Sequence, residues 1–418
     1  MSPRRLAFAL LLLVLVLPAV ALRPGTAAAR TRLDARVDAL PAAQLLSATA
    51  PALVDARRQR RARAIADLRD AATAGWGLAQ ILAFWWFWRS GIGARVRDAV
   101  RRRRRGRLPQ RVAFGAAIGA LGPVAALPFA LASYRIEFSG GVTGERLSQW
   151  FLDYALRIFL DALLGAVVVA TVLALVDKVR TWYLIVAGGI FAGAVLAAAL
   201  IPSLPVGPAH KTTPRAVAAL QAREALAAGA PGTPVVVLAT SRRSNAMTVD
   251  AVGIGPTAHA VLGDTTLDHL TDPELRFALA QADAHVARGD ALRRTLAGVL
   301  LFIVSATIAV LLSDRVGFRR DDDALSRLSL VATFLGAVMA LSYPLYTAYG
   351  RALERGADRS ALQATGDRDG AVRALVRIAD DDLVALCERR SLRWYFDDRP
   401  PLGSRIAALA GTADACAP

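Results

Sequence analysis

Two cysteines and four histidines are all that this 418-residue chain has of the residues that most often hold metals. Cys387 and Cys416 stand far apart and form no C-x-x-C pair, which excludes a cysteine-built metal framework. The sequence leaves open whether they bond to each other, so they do not report the redox compartment. Aromatic residues are sparse at 7% and are not interleaved with basic residues on a soluble stretch. No nucleic-acid surface is therefore expected, although the net charge is +17. No internal repeat is present.

Apolar residues, by contrast, are abundant and clumped. Mean hydropathy is +0.40, and the apolar runs approach 20 residues, the length that crosses a hydrocarbon core of ~30 Å. The charge is almost all Arg, concentrated between those runs. These are the features of a mostly α, polytopic membrane protein in contact with a lipid bilayer.

Residues 1–22 carry Arg4 and Arg5 before an unbroken apolar stretch. They form a signal-like segment with an A-x-A site at Ala19–Ala21, or a first span that is retained. The run exceeds a usual signal core, which favours retention. Residues 23–75 are Ala- and Arg-rich and helical in pattern, with too few large apolar residues for a core of their own. Residues 76–204 hold spans two to five, at 76–88, 112–133, 158–176 and 182–201. The first is short and carries Trp85, Trp86, Phe87 and Trp88, a cluster suited to the membrane interface. Spans six and seven, 296–312 and 328–346, fall within residues 295–349. Few ionisable groups lie inside the spans, and no pair of Gly-broken half-helices repeats, so a channel or transporter is disfavoured.

Soluble segments are expected at 205–294 and 350–418. The first reads as a helix at 216–226 and strands at 233–239, 245–255 and 258–262, followed by a helix within 274–290, ELRFALAQADAHVARGD. Gln281 and His285 are four apart and share one face of that helix. This is the spacing of H-E-x-x-H, in which two imidazoles bind zinc and the Glu activates water. Here Gln281 stands at the first His position and Ala282 at the Glu position.

Several segments, in order, resemble the type I CAAX prenyl protease family of integral-membrane zinc metalloproteases. Ser241-Arg242-Arg243-Ser244-Asn245-Ala246 is similar to its S-x-R-S…S-N-A segment, and Gly263-Asp264-Thr265-Thr266-Leu267 to its D-T-L-L turn. Residues 271–290 align with the H-E-x-x-H helix. The segment from Gly350 to Asp358 resembles S-R-x-x-E-x-x-A-D, and Arg399-Pro400-Pro401-Leu402 with Arg405-Ile406 resembles H-P-P-L…E-R-L.

The resemblance implies about seven transmembrane helices around a chamber, with a small α+β metalloprotease-like domain built from 205–294 and 350–418. It implies zinc held by His285 and Glu354, with Gln281 in place of a His ligand and Asp358 in the shell behind. A substrate groove is implied at Asn245 and Ala246, and His259 is implied to lie on the edge strand, facing substrate or solvent.

The departures fall on the reactive groups. Ala282 removes the general base, and Arg399 replaces the family His near the developing oxyanion, so no catalytic residue is expected. Zinc is expected to be absent or weakly bound. Without Zn²⁺, Glu354 and Asp358 need another cation, and Arg399 is expected to pair with one of them, with Gln281 or His285 completing the hydrogen bonds. The expected function is that of a pseudoprotease of the plasma (inner) membrane that binds membrane-associated peptides or proteins. The alternative is an active zinc metalloendopeptidase with non-standard ligands.

Orientation is contested. Arg- and Lys-rich short loops mark the cytoplasmic side, and 89–111, Lys178 with Arg180, and Arg315 with Arg319 and Arg320 then put the soluble segments outside the cytoplasm. The family implies the reverse, and ten Arg in 23–74 weaken the charge argument.

Overall fold

The computed structural model describes residues 37–103, 106–201, 233–316 and 324–417. The segment 1–22, His210, Arg319, Arg320 and the helix expected at 216–226 lie outside them. The described chain begins with α1 (Ala42–Ser47), a short 3-10 turn (Ala50–Leu53) and α2 (Ala56–Arg89). Next come α3 (Ile92–Arg103), α4 (Arg107–Gly140), α5 (Leu147–Lys178) and α6 (Trp182–Leu200). Asp55 caps α2 by accepting from the Arg57 and Arg58 amides at 2.8 Å, satisfying two donors that the first turn leaves free. The short 76–88 run is the far part of this 34-residue helix. At 1.5 Å per residue α2 is about 50 Å long, more than a bilayer core. Its Arg-rich start packs on the soluble domain, where Arg58 pairs with Asp380 at 2.9 Å.

Helices α4 and α5 meet at small residues. A Cβ at Gly115 or Gly119 would collide with backbone of Gly165 or Asp161, so the four-residue glycine spacing lets two spans approach closely. The outer faces are apolar and exposed, as at Leu152, Phe159 and Leu164 of α5, and α6 buries no residue. Those faces are lipid-facing by their composition.

The soluble part contains a three-stranded sheet, β1 (Val235–Leu238), β2 (Val249–Val252) and β3 (His259–Gly263), in the order β1-β3-β2. β1 runs parallel to β3 and β2 antiparallel to it. The three strands fall within the segments expected to form them, 233–239, 245–255 and, to within one residue, 258–262. His259, expected on the edge, instead starts the central strand β3. All five β3 residues are buried, whereas β2 carries the exposed Asp250 and takes the edge. The His259 ring Nδ1 lies 2.9 Å from the Thr257 carbonyl. The segment expected as a turn after it is helical, α7 (Asp264–His269).

Then follow α8 (Asp272–Ala287), α9 (Asp290–Arg315), α10 (Ala324–Thr365), α11 (Arg368–Asp381), α12 (Arg390–Phe396) and α13 (Leu402–Ala410). Among the described residues five helices, α4, α5, α6, α9 and α10, are long and apolar enough to cross a membrane. The domain core joins Phe277 of α8, Val372, Leu375 and Val376 of α11, and Ile406 and Leu409 of α13. Leu45, Leu53 and Val54 complete it, so the N-terminal segment, too poor in apolar residues for its own core, lends them to another. Cys387 and Cys416 form a disulfide that ties the C-terminal segment to this domain.

The loop between α4 and α5 docks on the soluble side, where the Asn245 amide donates to the Val142 carbonyl at 2.8 Å. At the other end of those helices Arg107 and Arg111 pair with Asp177, and Arg327 pairs with Asp314.

Candidate functional site

Helix α8 is set by a capping box. Glu274 accepts from the Thr271 amide at 2.8 Å, a reciprocal cap that fixes the helix start. Fully buried, Glu274 is also gripped by Arg377 through two bonds of 2.9 Å. One face of α8 then presents Gln281 and His285 to α10, while Ala282 is buried. Gly289, at φ +64°, adopts the left-handed conformation that glycine enters without strain. It turns the chain straight from α8 into α9. The 42-residue α10 extends beyond the bilayer into the domain, carrying Glu354 and Asp358 one turn apart.

Spacing predicts that Gln281 and His285 share one helix face and Glu354 and Asp358 another; the fold sets the two faces against each other. The Gln281 amide Nε2 donates to Asp358 Oδ1 at 2.9 Å and to Glu354 Oε2 at 3.4 Å. His285 Nε2 lies 3.6 Å from Glu354 Oε1, and its Nδ1 lies 2.9 Å from Asp290 Oδ2. Burial alone would lower the His285 pKa, but the Glu354 and Asp290 carboxylates outweigh it and raise it.

Three arginines supply most of the positive charge. Arg405 holds Asp358 in a buried two-bond fork. Arg294, at the start of α9, reaches Glu354 Oε1 at 3.1 Å and Asp398 at 2.8 Å. Arg399 does approach Glu354, with Nε 3.8 Å from Oε1, but its side chain is 55% exposed. It is the outermost of the three and does not pair with Asp358, whose oxygens Arg405 and Gln281 occupy. Arg294 and Asp290 are not singled out by the spacing of the motif. Their signal was present as an acid and a base one turn apart at the first turn after Gly289.

A catalytic zinc takes three protein ligands and leaves a position for water. Here the amide faces the carboxylates as a donor, and guanidinium groups take the lone pairs that a metal would use. Among the described residues no group of three or more His, Cys, Asp and Glu side chains is arranged to hold a metal ion. The donor set does not fit. Asn245 and Ala246 lie just before β2, with their amides bonded to the Val142 carbonyl and the Ser244 hydroxyl.

Two family models match in tandem. Residues 59–206 match the CAAX prenyl protease N-terminal region with five membrane helices, and residues 212–413 match peptidase family M48. The chain belongs to the M48 peptidase family. M48 members of this kind are membrane zinc metallopeptidases. The crystal structure of S. mikatae Ste24p shares the fold, with a TM-score of 0.68 over 96% of this chain and 98% of that one at 18% identity. A curated relative, Protease HtpX homolog 1 of Streptomyces coelicolor, is 33% identical over 162 residues, 38% of this chain. The match spans 52% of that relative.

Proposed function

We propose that this M48 chain is a pseudoprotease that keeps the membrane fold and binds membrane-associated peptides or proteins without cutting them. The observation that carries this is the Gln281–Ala282 pair. The amide is engaged with Asp358 and Glu354, and the buried Ala282 leaves no carboxylate to take a proton from water. General-base assistance contributes ~10²–10⁴-fold in rate, and nothing in the described site replaces it. Arg294, Arg405 and His285 provide the positive charge that zinc supplies in active relatives.

The edge strand β2 supports a role in holding extended clients, since an edge offers unpaired backbone groups to a peptide. Asn245 and Ala246, just before β2, spend their own amides on Val142 and Ser244, which leaves β2 itself as the strand that a client would pair with. We place the protein in the plasma membrane, with the soluble domain outside the cytoplasm. Two features support that side. The Arg-rich connections around Arg107, Arg111 and Arg315 are at the end away from the domain, and the domain carries a disulfide, a bond that persists in oxidising compartments.

The test is zinc content of the detergent-purified chain after mild chelator washing, together with peptide cleavage. Zinc at background with no cleavage is expected. The alternative, an active metalloendopeptidase with non-standard ligands, draws on Asp290, which holds His285 from behind as a metal-binding imidazole is usually held. Near-stoichiometric zinc with cleavage that fails in Glu354→Ala would establish it instead.

A further inference from the structure

A second site lies behind the first, on the other side of the Asp358–Arg405 pair. A cavity of about 700 Å³ opens between α10, α12 and α13, within the range of small-molecule sites, ~300–1,000 Å³. Its lining includes Arg351, Arg355, Arg359, Arg390 and Arg393 beside an apolar wall from α13. The first three repeat every four residues along one face of α10, an arrangement in which like charges repel. Arg351 feels the like charges of Arg355 and Arg393, partly offset by the Asp397 and Asp398 carboxylates.

The cavity holds two acidic residues, and both are engaged. Asp358 is held by Arg405, while Asp414 accepts from the Ser404 hydroxyl and the Cys416 amide. Arg351 is anchored by donating to the Trp394 and Asp397 carbonyls. Arg355, Arg359, Arg390 and Arg393 make no ion pair with any described carboxylate. Six arginines against two carboxylates give the lining an excess of positive charge. Arg355, Arg359 and Arg390 reach solvent, but the concave low-dielectric walls focus the field and make the excess costly. A ligand with several anionic oxygens relieves that cost, and the planar guanidinium fork matches phosphate.

The position of the cavity bears on the source of the anion. α12 packs on α10 where its lipid-facing stretch ends, with the Tyr395 hydroxyl donating to the Ala340 carbonyl at 2.6 Å. Leu341 and Leu345 of α10 are exposed, and Trp394 at the cavity wall is 60% exposed. An exposed Trp beside lipid-facing leucines suits the headgroup level.

We propose that this arginine cavity binds a phosphate-bearing anion, presented as a phospholipid headgroup or as a soluble phosphate compound. It stands independently of whether the neighbouring centre cuts peptides.

The full chain, purified in detergent, is titrated with sodium pyrophosphate against sodium chloride of matched ionic strength. In a second arm it is reconstituted with phosphatidylglycerol or with phosphatidylcholine, and retained lipid is counted by native mass spectrometry. Binding in at least one arm is expected, weakened at least tenfold in R355Q/R390Q and unchanged in R63Q, an exposed position on α2. Retention of phosphatidylglycerol that pyrophosphate does not displace identifies the headgroup as the source, and pyrophosphate binding identifies a soluble one. Folding of the double variant is checked by its melting point without ligand, and R359Q serves alone if the double variant is unstable. Absence of binding in both arms, or equal binding by the cavity variants, overturns the proposal.

Discussion

Arg405 grips Asp358 through two parallel bonds, Nε to Oδ2 and Nη2 to Oδ1, each 2.8 Å, with both side chains buried. The Gln281 amide completes the Asp358 shell. Burial lowers the Arg405 pKa on its own, yet the Asp358 carboxylate more than offsets this and raises it, so the guanidinium keeps its charge.

Breaking that pair from one side strands a charge. Arg405→Met is expected to cost about 3–5 kcal/mol, whereas Asp358→Leu/Arg405→Met costs far less, because removing both partners removes the desolvation penalty too. Equilibrium unfolding in detergent measures the difference. Equal losses in the single and double variants would show that packing, not charge, sets the cost.

Gln281→His restores two imidazoles at helical spacing opposite Glu354, the three ligands that a zinc site requires. Zinc is expected to rise from background toward one per chain, and to fall again when Glu354→Ala is added. Elemental analysis decides this. Persistent background zinc would mean that Arg294 and Arg399 hold Glu354 against the metal.

The Asp397 carboxyl is pushed up to about 7 by burial, with Glu388, Asp70 and Asp398 adding to the rise and Arg69 opposing it. An unfolded Asp loses its proton near ~3.9. The native state therefore binds more protons between these values, so the stability from this group is full below about 4 and is lost as pH rises to about 7. The melting temperature of the native chain is expected to drop across that window, and the drop to shrink in Asp397→Asn. Parallel melting curves for the two chains would contradict it.

The Cys387–Cys416 bond closes a loop with a sequence separation of 29. Its loss in Cys387→Ser/Cys416→Ser is expected to cost about 3 kcal/mol. Unreduced protein taken from cells should show no thiol reactive to maleimide. If the domain faces away from the cytoplasm, alkaline phosphatase fused at the C-terminus is active and a cytoplasm-only reporter is silent. Free thiols with an active cytoplasmic reporter would reverse the orientation.

Much of the architecture was legible before any coordinates. The spans at 112–133, 158–176, 182–201, 296–312 and 328–346 are legible because an apolar run of membrane length has no other stable place, and the β-branched run at 233–239 marks β1. Gln281, His285, Glu354 and Asp358 could be grouped because helical spacing puts i and i+4 on one face, and the family order brought the two helices together. The order of strands was not legible. His259 sits on the middle strand because β3 is the segment buried on both faces, a property of its neighbours rather than of its own composition.

The sequence by itself determined what the centre lacks, an imidazole at Gln281 and a carboxylate at Ala282, since chemistry absent from the side chains cannot be made by folding. Only the tertiary structure decided what fills the gap. Arg294 belongs to the next helix and Arg405 to the last, and an ion pair depends on distances of a few ångströms between segments that sequence separation does not constrain. The same holds for the arginine cavity, where residues from α10 and α12 are independent charges along the chain and become one field only once those helices are packed.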